Sequence, residues 1–192
     1  MGRILVMENL SLDGVMQAPG RPDEDTRDGF EQGGWFQQYN DEVLGRFLGG
    51  SMASARGALL LGRRTYEDFF GFWPRQTDGN PFTAALDAAT KYVASTTLTE
   101  PLPWQNSVLL RGAVPAAVAE LKRDTDLTVF GSGELVRTLA AAGLVDEYLL
   151  LVVPRLLGQG RRLFEGGARA ALQLTECVPT TTGVLITRYR VT

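Results

Sequence analysis

Twice in this chain a strand-length, mainly apolar run ends on glycine and gives way at once to helical spacing. The first is Ala58-Leu59-Leu60-Leu61 before Gly62; the second is residues 127–130 before Gly131-Ser132-Gly133. A run with no polar face must be covered on both sides of its sheet, and the helix that follows supplies part of that cover. Units of this kind assemble as an α/β fold around parallel strands, not as a helical bundle or a β-sandwich.

The rest of the chain extends the pattern. Residues 3–9, 91–95, 107–110, 147–153, 172–178 and 184–191 are further predicted strands. The last alternates apolar and polar residues, as an antiparallel strand with one exposed face does, so the sheet is expected to be mixed. Over residues 41–55, Val43, Leu44, Phe47, Leu48, Met52 and Ala55 recur at helical spacing, although Gly49-Gly50 weakens that helix. Shorter helices are expected over residues 63–70, after Pro115 at a first helical position with Val118 and Leu121 inward, and around Leu135, Val136, Leu139 and Ala140. Residues 13–35, rich in Gly, Pro and Asp, show no period and are too long for a simple connector, which points to a functional loop. With no repeat and no linker-like stretch, residues 1–192 are expected to form one domain.

Composition narrows the function. The chain has 192 residues, 44% of them hydrophobic, enough for one sizeable core. Nineteen basic and 22 acidic residues leave a net charge of -3, with no cationic field for nucleic acid or a lipid surface, so a small-molecule partner is favoured. There is no histidine, which removes Ser-His-Asp and Cys-His catalysis, His-ligated zinc and any imidazole base; no metal site is expected. The single Cys177 cannot close an intrachain disulfide, and it reads as a small buried apolar side chain before it reads as a catalytic thiol. Ile4-Leu5-Val6-Met7 is too short for a signal peptide and no stretch reaches membrane-spanning length, so a cytoplasmic location is expected.

The two glycine junctions carry the clearest chemistry. Glycine lets backbone N–H groups approach a ligand, and the helix N-terminus behind it faces anionic oxygens. Arg63, Arg64 and Thr65 in one junction, and Ser132 with bare amides in the other, could together hold a pyrophosphate. Gly131-Ser132-Gly133 alone is also compatible with an ordinary strand-to-helix turn, and the arginine pair with a solvated helix start. Two cations in a first turn oppose the helix dipole, however, and anion binding gives them a reason to be there.

Ser11-Leu12-Asp13-Gly14, Leu61-Gly62-Arg63-Arg64-Thr65-Tyr66-Glu67, Val129-Phe130-Gly131-Ser132-Gly133 and Leu144-Val145-Asp146-Glu147, in this order, resemble the dihydrofolate reductase-like superfamily. The branch most similar is that of the riboflavin-biosynthesis reductase domain, through Pro154-Arg155-Leu156-Leu157-Gly158-Gln159-Gly160 and Leu163-Phe164. The resemblance spans nearly the whole chain. It implies a dihydrofolate reductase-like fold: a central, mixed but mostly parallel sheet flanked by helices, with antiparallel C-terminal strands and a nicotinamide dinucleotide along the strand ends. Gly62, Arg63, Arg64 and Thr65 would then meet the pyrophosphate and adenosine side, and Gly131, Ser132, Gly133, Glu134 and Leu135 the opposite flank. Val15 and Met16 would border the nicotinamide. Ser95, Thr96 and Thr97 would lie by the adenosine ribose; Thr96 brings no charge where an arginine often pairs with the 2'-phosphate, so NADH is possible, while Arg64 could compensate and the family itself implies NADPH as the cofactor. A homodimer is implied as well.

The substrate end offers Asp13 and Asp41 as candidate acids. A carboxylate in the S-x-D-G turn could relay a proton or cap the turn, and Asp41, beside Glu42, could serve a ring substrate or only charge a helix start. Gln17, Phe30 and Trp35 belong to the long loop, which by the resemblance roofs the substrate pocket; Phe30 and Trp35 could stack on a flat ring, Trp35 could equally pack into the core, and Asp23-Glu24-Asp25 would discourage anionic substrates. Hydride transfer needs neither nucleophile nor metal. The resemblance therefore implies an NAD(P)H-dependent reductase for a small heterocycle, pterin- or pyrimidine-like, or for a carbonyl or imine. The alternatives are a non-catalytic nucleotide-binding sensor or dimeric protein on the same scaffold and a true dihydrofolate reductase.

Overall fold

A computed structural model describes residues 1–54, 57–77, 79, 81–165 and 169–192, without the side chains of residues 51–54. In chain order the elements are β1 (Ile4–Ser11), α1 (Glu42–Ser54), β2 (Ala58–Gly62), α2 (Arg63–Phe72), α3 (Pro81–Ala88), β3 (Lys91–Ala94), β4 (Ser107–Leu110), α4 (Val114–Leu121), β5 (Leu127–Val129), α5 (Gly133–Ala141), β6 (Glu147–Val153), β7 (Leu172–Pro179) and β8 (Leu185–Val191). The strands form one eight-stranded sheet in the order β4-β3-β2-β5-β1-β6-β8-β7. The first six run parallel; β8 is antiparallel to β6, and β7 to β8. This is the mixed, mostly parallel α/β fold that the motifs imply.

Most elements fall within one or two residues of their expected limits. β1 runs on to Ser11, because all seven residues of β6 pair with it from Leu5 to Ser11. α2 continues to Phe72 and is followed by a short 3-10 turn at Trp73–Arg75. The glycine pair does not end α1, though the Met52 side chain and Ala55 lie outside the described residues. α3 was not expected. Its last turn is closed from outside by the buried Lys91, whose ammonium donates to the carbonyls of Leu86 at 2.7 Å and Ala89 at 2.8 Å and sits 4.5 Å over the Trp104 ring. A cation at a helix C-terminus satisfies carbonyls that the helix cannot.

The helices divide between the two sheet faces. Val118 of α4 and Leu135, Val136 and Leu139 of α5 pack with Ile4, Val6, Leu60, Leu127 and Val129. On the other face, Leu44 of α1 and the rings of Trp35 and Phe36 cover Leu149, Leu151, Val153 and Ile186, while Tyr66 and Leu86 of α2 and α3 cover Leu61 and Val93. Each fully buried side chain of this kind contributes on the order of 2 kcal/mol. Cys177 is the exception to expectation: it is exposed on β7, an edge strand whose residues are almost all exposed and so bury no side chain. No helix among the described residues is long and apolar enough to cross a membrane.

Candidate active site

Because β2 and β5 are neighbours, the helices that follow them begin side by side. Leu60 of β2 belongs to the core beneath α5 and Leu61 to the core beneath α2, so the two helices leave the sheet toward opposite faces. That divergence opens a crevice at the carboxyl ends of the strands, the place where open α/β sheets bind ligands. The expected glycine junctions touch there: the Gly62 N–H donates to the Gly131 carbonyl at 3.2 Å, and a Cβ added to Gly62 would lie 2.1 Å from Ser132 Oγ. Gly131 adopts a φ of +81°, in the left-handed region that suits glycine.

Neither helix has a side-chain cap. Gly62 and Ser132 stand at the N-cap positions with extended backbone and no capping hydrogen bond, which leaves the first amides of both helices free for a ligand. Arg63 pairs with Glu67 at 3.3 Å, one turn on. Arg64 is exposed and has no ion pair among the described residues. Thr65 turns its hydroxyl toward Gly131, 3.1 Å from where a Cβ would stand. In α5, Glu134 is exposed in the first turn, and the buried Leu135 side chain belongs to the core, so only its backbone can face the crevice. Gly62 is level with Ala94 of β3, which places Ser95, Thr96 and Thr97 beside the start of α2; Ser95 Oγ accepts from the amides of Thr97 and Leu98, leaving Thr96 and Thr97 exposed.

The long loop reaches this crevice with Met16. Met16 lies across the start of α5, its sulfur 2.6 Å from a Cβ added to Gly133. Its neighbour does otherwise. Val15 is fully buried, pressed with Phe30 against Gly160.

The other candidates have structural duties. Trp35 is 2% exposed and Phe30 3%, both within the core under the loop, with the indole N–H donating to the Gln17 carbonyl at 2.7 Å. Gln17 is buried, and its amide is spent: Oε1 accepts from the Arg161 amide at 3.0 Å, and Nε2 donates to the carbonyls of Asp25 and Arg27 at 3.1 Å each. Rings expected to stack on a substrate are consumed instead because a loop this long needs its own core. Its charges are also used internally. Glu24 accepts from the amides of Gly20 and Arg21, Asp25 pairs with Arg27, and Arg21 reaches Asp68 on α2 while covering the Phe72 ring. The loop is thereby pinned to α2.

Both candidate acids are similarly committed. Asp13 Oδ1 accepts from Ser11 Oγ at 2.7 Å and the Leu157 amide at 3.1 Å, and Oδ2 from the Gly158 amide at 2.9 Å, with Arg162 at 3.4 Å. Partial burial raises its pKa, but these bonds outweigh that and hold it at about 2. Such a carboxylate carries no proton to relay near neutral pH; it braces the turn. Asp41 caps α1 through the Leu44 amide at 2.8 Å and holds the β7–β8 turn through Thr181 and Thr182. The Leu44 amide and the Thr181 hydroxyl lead in keeping its pKa below the ordinary carboxylate value. Asp41 thus serves as a helix cap and as the anchor of the β7–β8 turn.

One buried group escaped the sequence reading. Glu8, on the inward face of β1 with Val6 and Leu10, is 8% exposed, and its Oε1 is buried without a hydrogen-bond partner. It points at the same glycine: a Cβ on Gly131 would lie 3.2 Å from Oε1. Burial, with a smaller push from Glu24, raises its pKa to about 8. The signal was present in the sequence as a carboxylate at an inward position of Ile4-Leu5-Val6-Met7-Glu8-Asn9-Leu10.

Hollows elsewhere lie at the opposite ends of the strands, one lined by Thr90, Trp104, Asn106 and Ser107 and another by Gly2, Gly57 and Asp126. Neither receives a helix N-terminus.

Comparison with known proteins agrees with the fold. The crystal structure of a riboflavin biosynthesis protein, so described provisionally, from Shewanella sp. PV-4 superposes with a TM-score of 0.70 at 19% identity, covering 99% of each chain. A pyrimidine reductase-like protein from Corynebacterium diphtheriae gives 0.66 at 13% identity, over 100% of this chain and 92% of its own. RibD from Acinetobacter baumannii gives 0.62 at 14% identity over 100% of this chain, which spans 58% of that protein. An uncharacterized Bacillus subtilis protein is 27% identical over 111 residues, 55% of this chain and 58% of its own length. At these identities the structural neighbours establish the fold. The family model of the RibD C-terminal domain matches residues 3–186, and the chain belongs to that family.

Proposed function

We propose that this protein is an NAD(P)H-dependent reductase that acts on a small heterocycle, pterin- or pyrimidine-like, or on a carbonyl or imine compound. Membership in the RibD C-terminal domain family supports reductase chemistry at the coarse level. The observation that carries the finer reading is the pair of uncapped helix N-termini in contact at Gly62 and Gly131. Two sets of amides without a side-chain cap, the Thr65 hydroxyl and the Arg63 guanidinium group fit the two phosphates of a dinucleotide. Ser95, Thr96 and Thr97 receive the adenosine end, and Arg64 supplies the charge for a 2'-phosphate, so NADPH is the proposed cofactor and NADH the alternative. When bound, the nicotinamide supplies the hydride. The protein contributes binding and orientation, Met16 beside α5 and the pinned loop excluding water from the strand ends. With Asp13 and Asp41 committed elsewhere, the accompanying proton reaches the product from solvent. A homodimer in the cytoplasm, joined along the exposed β7 edge with its Leu172 and Leu174, is the assembly we propose; a monomer by light scattering would contradict it.

The saturation of both acids favours one second reading, a nucleotide-binding protein without turnover. Parallel calorimetric titration with NADPH and NADH, followed by carbonyl, imine and pterin acceptors, separates the two. Binding with cofactor oxidation in the presence of an acceptor supports the reductase. Binding with no oxidation by any acceptor supports the second reading, and absence of binding by either cofactor overturns both.

A further inference from the structure

The same crevice contains a polar notch that ordinary phosphate recognition does not require. Around the Cα of Gly131, two side-chain oxygens converge on the position a Cβ would take: Thr65 Oγ1 at 3.1 Å and Glu8 Oε1 at 3.2 Å, with the Met16 methyl at 3.9 Å. Glycine keeps that position open. Thr65 Oγ1 has no hydrogen bond among the described residues, and Glu8 Oε1 is buried without one. An orphaned carboxyl oxygen within a core costs on the order of 1 to 3 kcal/mol, and a fold retains such a group where a ligand completes it.

We propose that Glu8 is a cofactor-recognition residue: Oε1 and the Thr65 hydroxyl form a notch against Gly131 that takes a hydroxyl or phosphate oxygen of the bound dinucleotide. The inference rests on the dinucleotide reading above and adds a residue to it. A carboxylate here would repel the phosphates that the two helix N-termini attract. Burial resolves the conflict, because a pKa of about 8 keeps Glu8 protonated near neutral pH and makes it a donor. The surrounding groups do not undo this. Glu24 of the long loop reinforces the neutral form. On β6, Leu150 is level with Glu8, and Tyr148, two residues earlier, is itself shifted upward by burial and ionises at higher pH. The charged groups at the two helix starts are Arg63, Arg64 and Glu67 on α2, with Arg63 and Glu67 paired at 3.3 Å, and Glu134 and Arg137 on α5, of which Arg137 is held by the Arg162 carbonyl at 3.2 Å.

A pH-dependent affinity follows. If binding requires the neutral carboxyl, the dissociation constant rises as Glu8 ionises, roughly 30-fold between about pH 7 and pH 9.5. Above pH 8 the complex takes up a proton from solvent onto Glu8. Calorimetric titration with NADPH over this range, in two buffers of different ionisation enthalpy, reads both effects. The wild type is expected to show the weakening and, at the alkaline end, uptake approaching one proton. Glu8→Gln, which stays neutral and keeps an N–H donor, is expected to bind within about threefold of wild type at pH 7, with a flat profile and no uptake. Glu8→Leu is expected to bind about tenfold more weakly while melting no lower than wild type, since it removes an unsatisfied buried group; a purely structural role for Glu8 would lower the melting temperature instead. Should Glu8→Leu fail to fold, the comparison of wild type with Glu8→Gln still decides. Identical pH profiles for those two, or unchanged affinity in Glu8→Leu, overturn the notch and leave the cofactor reading standing. Absence of binding of both NADPH and NADH by wild type at pH 7 overturns the cofactor reading itself, and the notch with it; if NADH alone binds, the same titrations with NADH decide the notch.

Discussion

Four groups converge on the Asp13 carboxylate: the Ser11 hydroxyl, the amides of Leu157 and Gly158, and Arg162. Its folded pKa of about 2 lies below the ordinary 3.8, so the unfolded chain binds the proton more readily. The sign is therefore that of an acid-sensitive brace: its contribution to stability is present above pH 4 and is lost as pH falls through 2. Asp13→Asn is expected to lower stability at pH 7 by about 1 to 2 kcal/mol and to flatten its decline in acid; equal urea midpoints for wild type and variant at pH 7 would contradict the brace. Glu8 has the opposite sign. Its raised pKa means that the folded state holds the proton more tightly, so its contribution to stability falls as pH rises from about 4.5 to 8. The sequence displayed both carboxylates but not these roles. Asp13 is braced by residues up to 149 positions away, and no local pattern distinguishes a saturated carboxylate from a free one.

At the scale of elements, the two strand-glycine-helix junctions were legible because each is written in contiguous residues. Their contact was not, because it depends on β5 inserting beside β2. Gly62→Ala tests that contact: the added Cβ would meet Ser132 Oγ at 2.1 Å and Ser132 N at 3.0 Å, so the α5 junction must shift. The expected cost is about 1 to 3 kcal/mol, with weakened NADPH binding; a variant that melts and binds like wild type would show that the junctions are not rigidly joined. α3 was missed although its closing cation is near in sequence: Lys91, three residues past the helix end, donates to the carbonyls of Leu86, Asp87 and Ala89. Lys91 is at once the first residue of β3 and the cation that ends α3, and a strand pattern displays only the first of these roles.

Over the whole molecule, the order of motifs led to the correct sheet, while the long loop was read as a more open roof than it is. Phe30 and Trp35 are aromatic for the sake of a core under that loop, and the Arg21 pair with Asp68 fastens it to α2. What remains exposed to a ligand is the crevice where α2 and α5 begin, and the central claim is that the dinucleotide lies there. Titration of isotopically labelled protein with NADPH, followed by backbone amide chemical shifts, tests this directly. The predicted result is saturable shifts largest at residues 62–65 and 131–135, with smaller ones at residues 8 and 95–97. Shifts that fail to saturate, or that cluster instead around Thr90, Trp104 and Asn106 at the opposite ends of the strands, would contradict it.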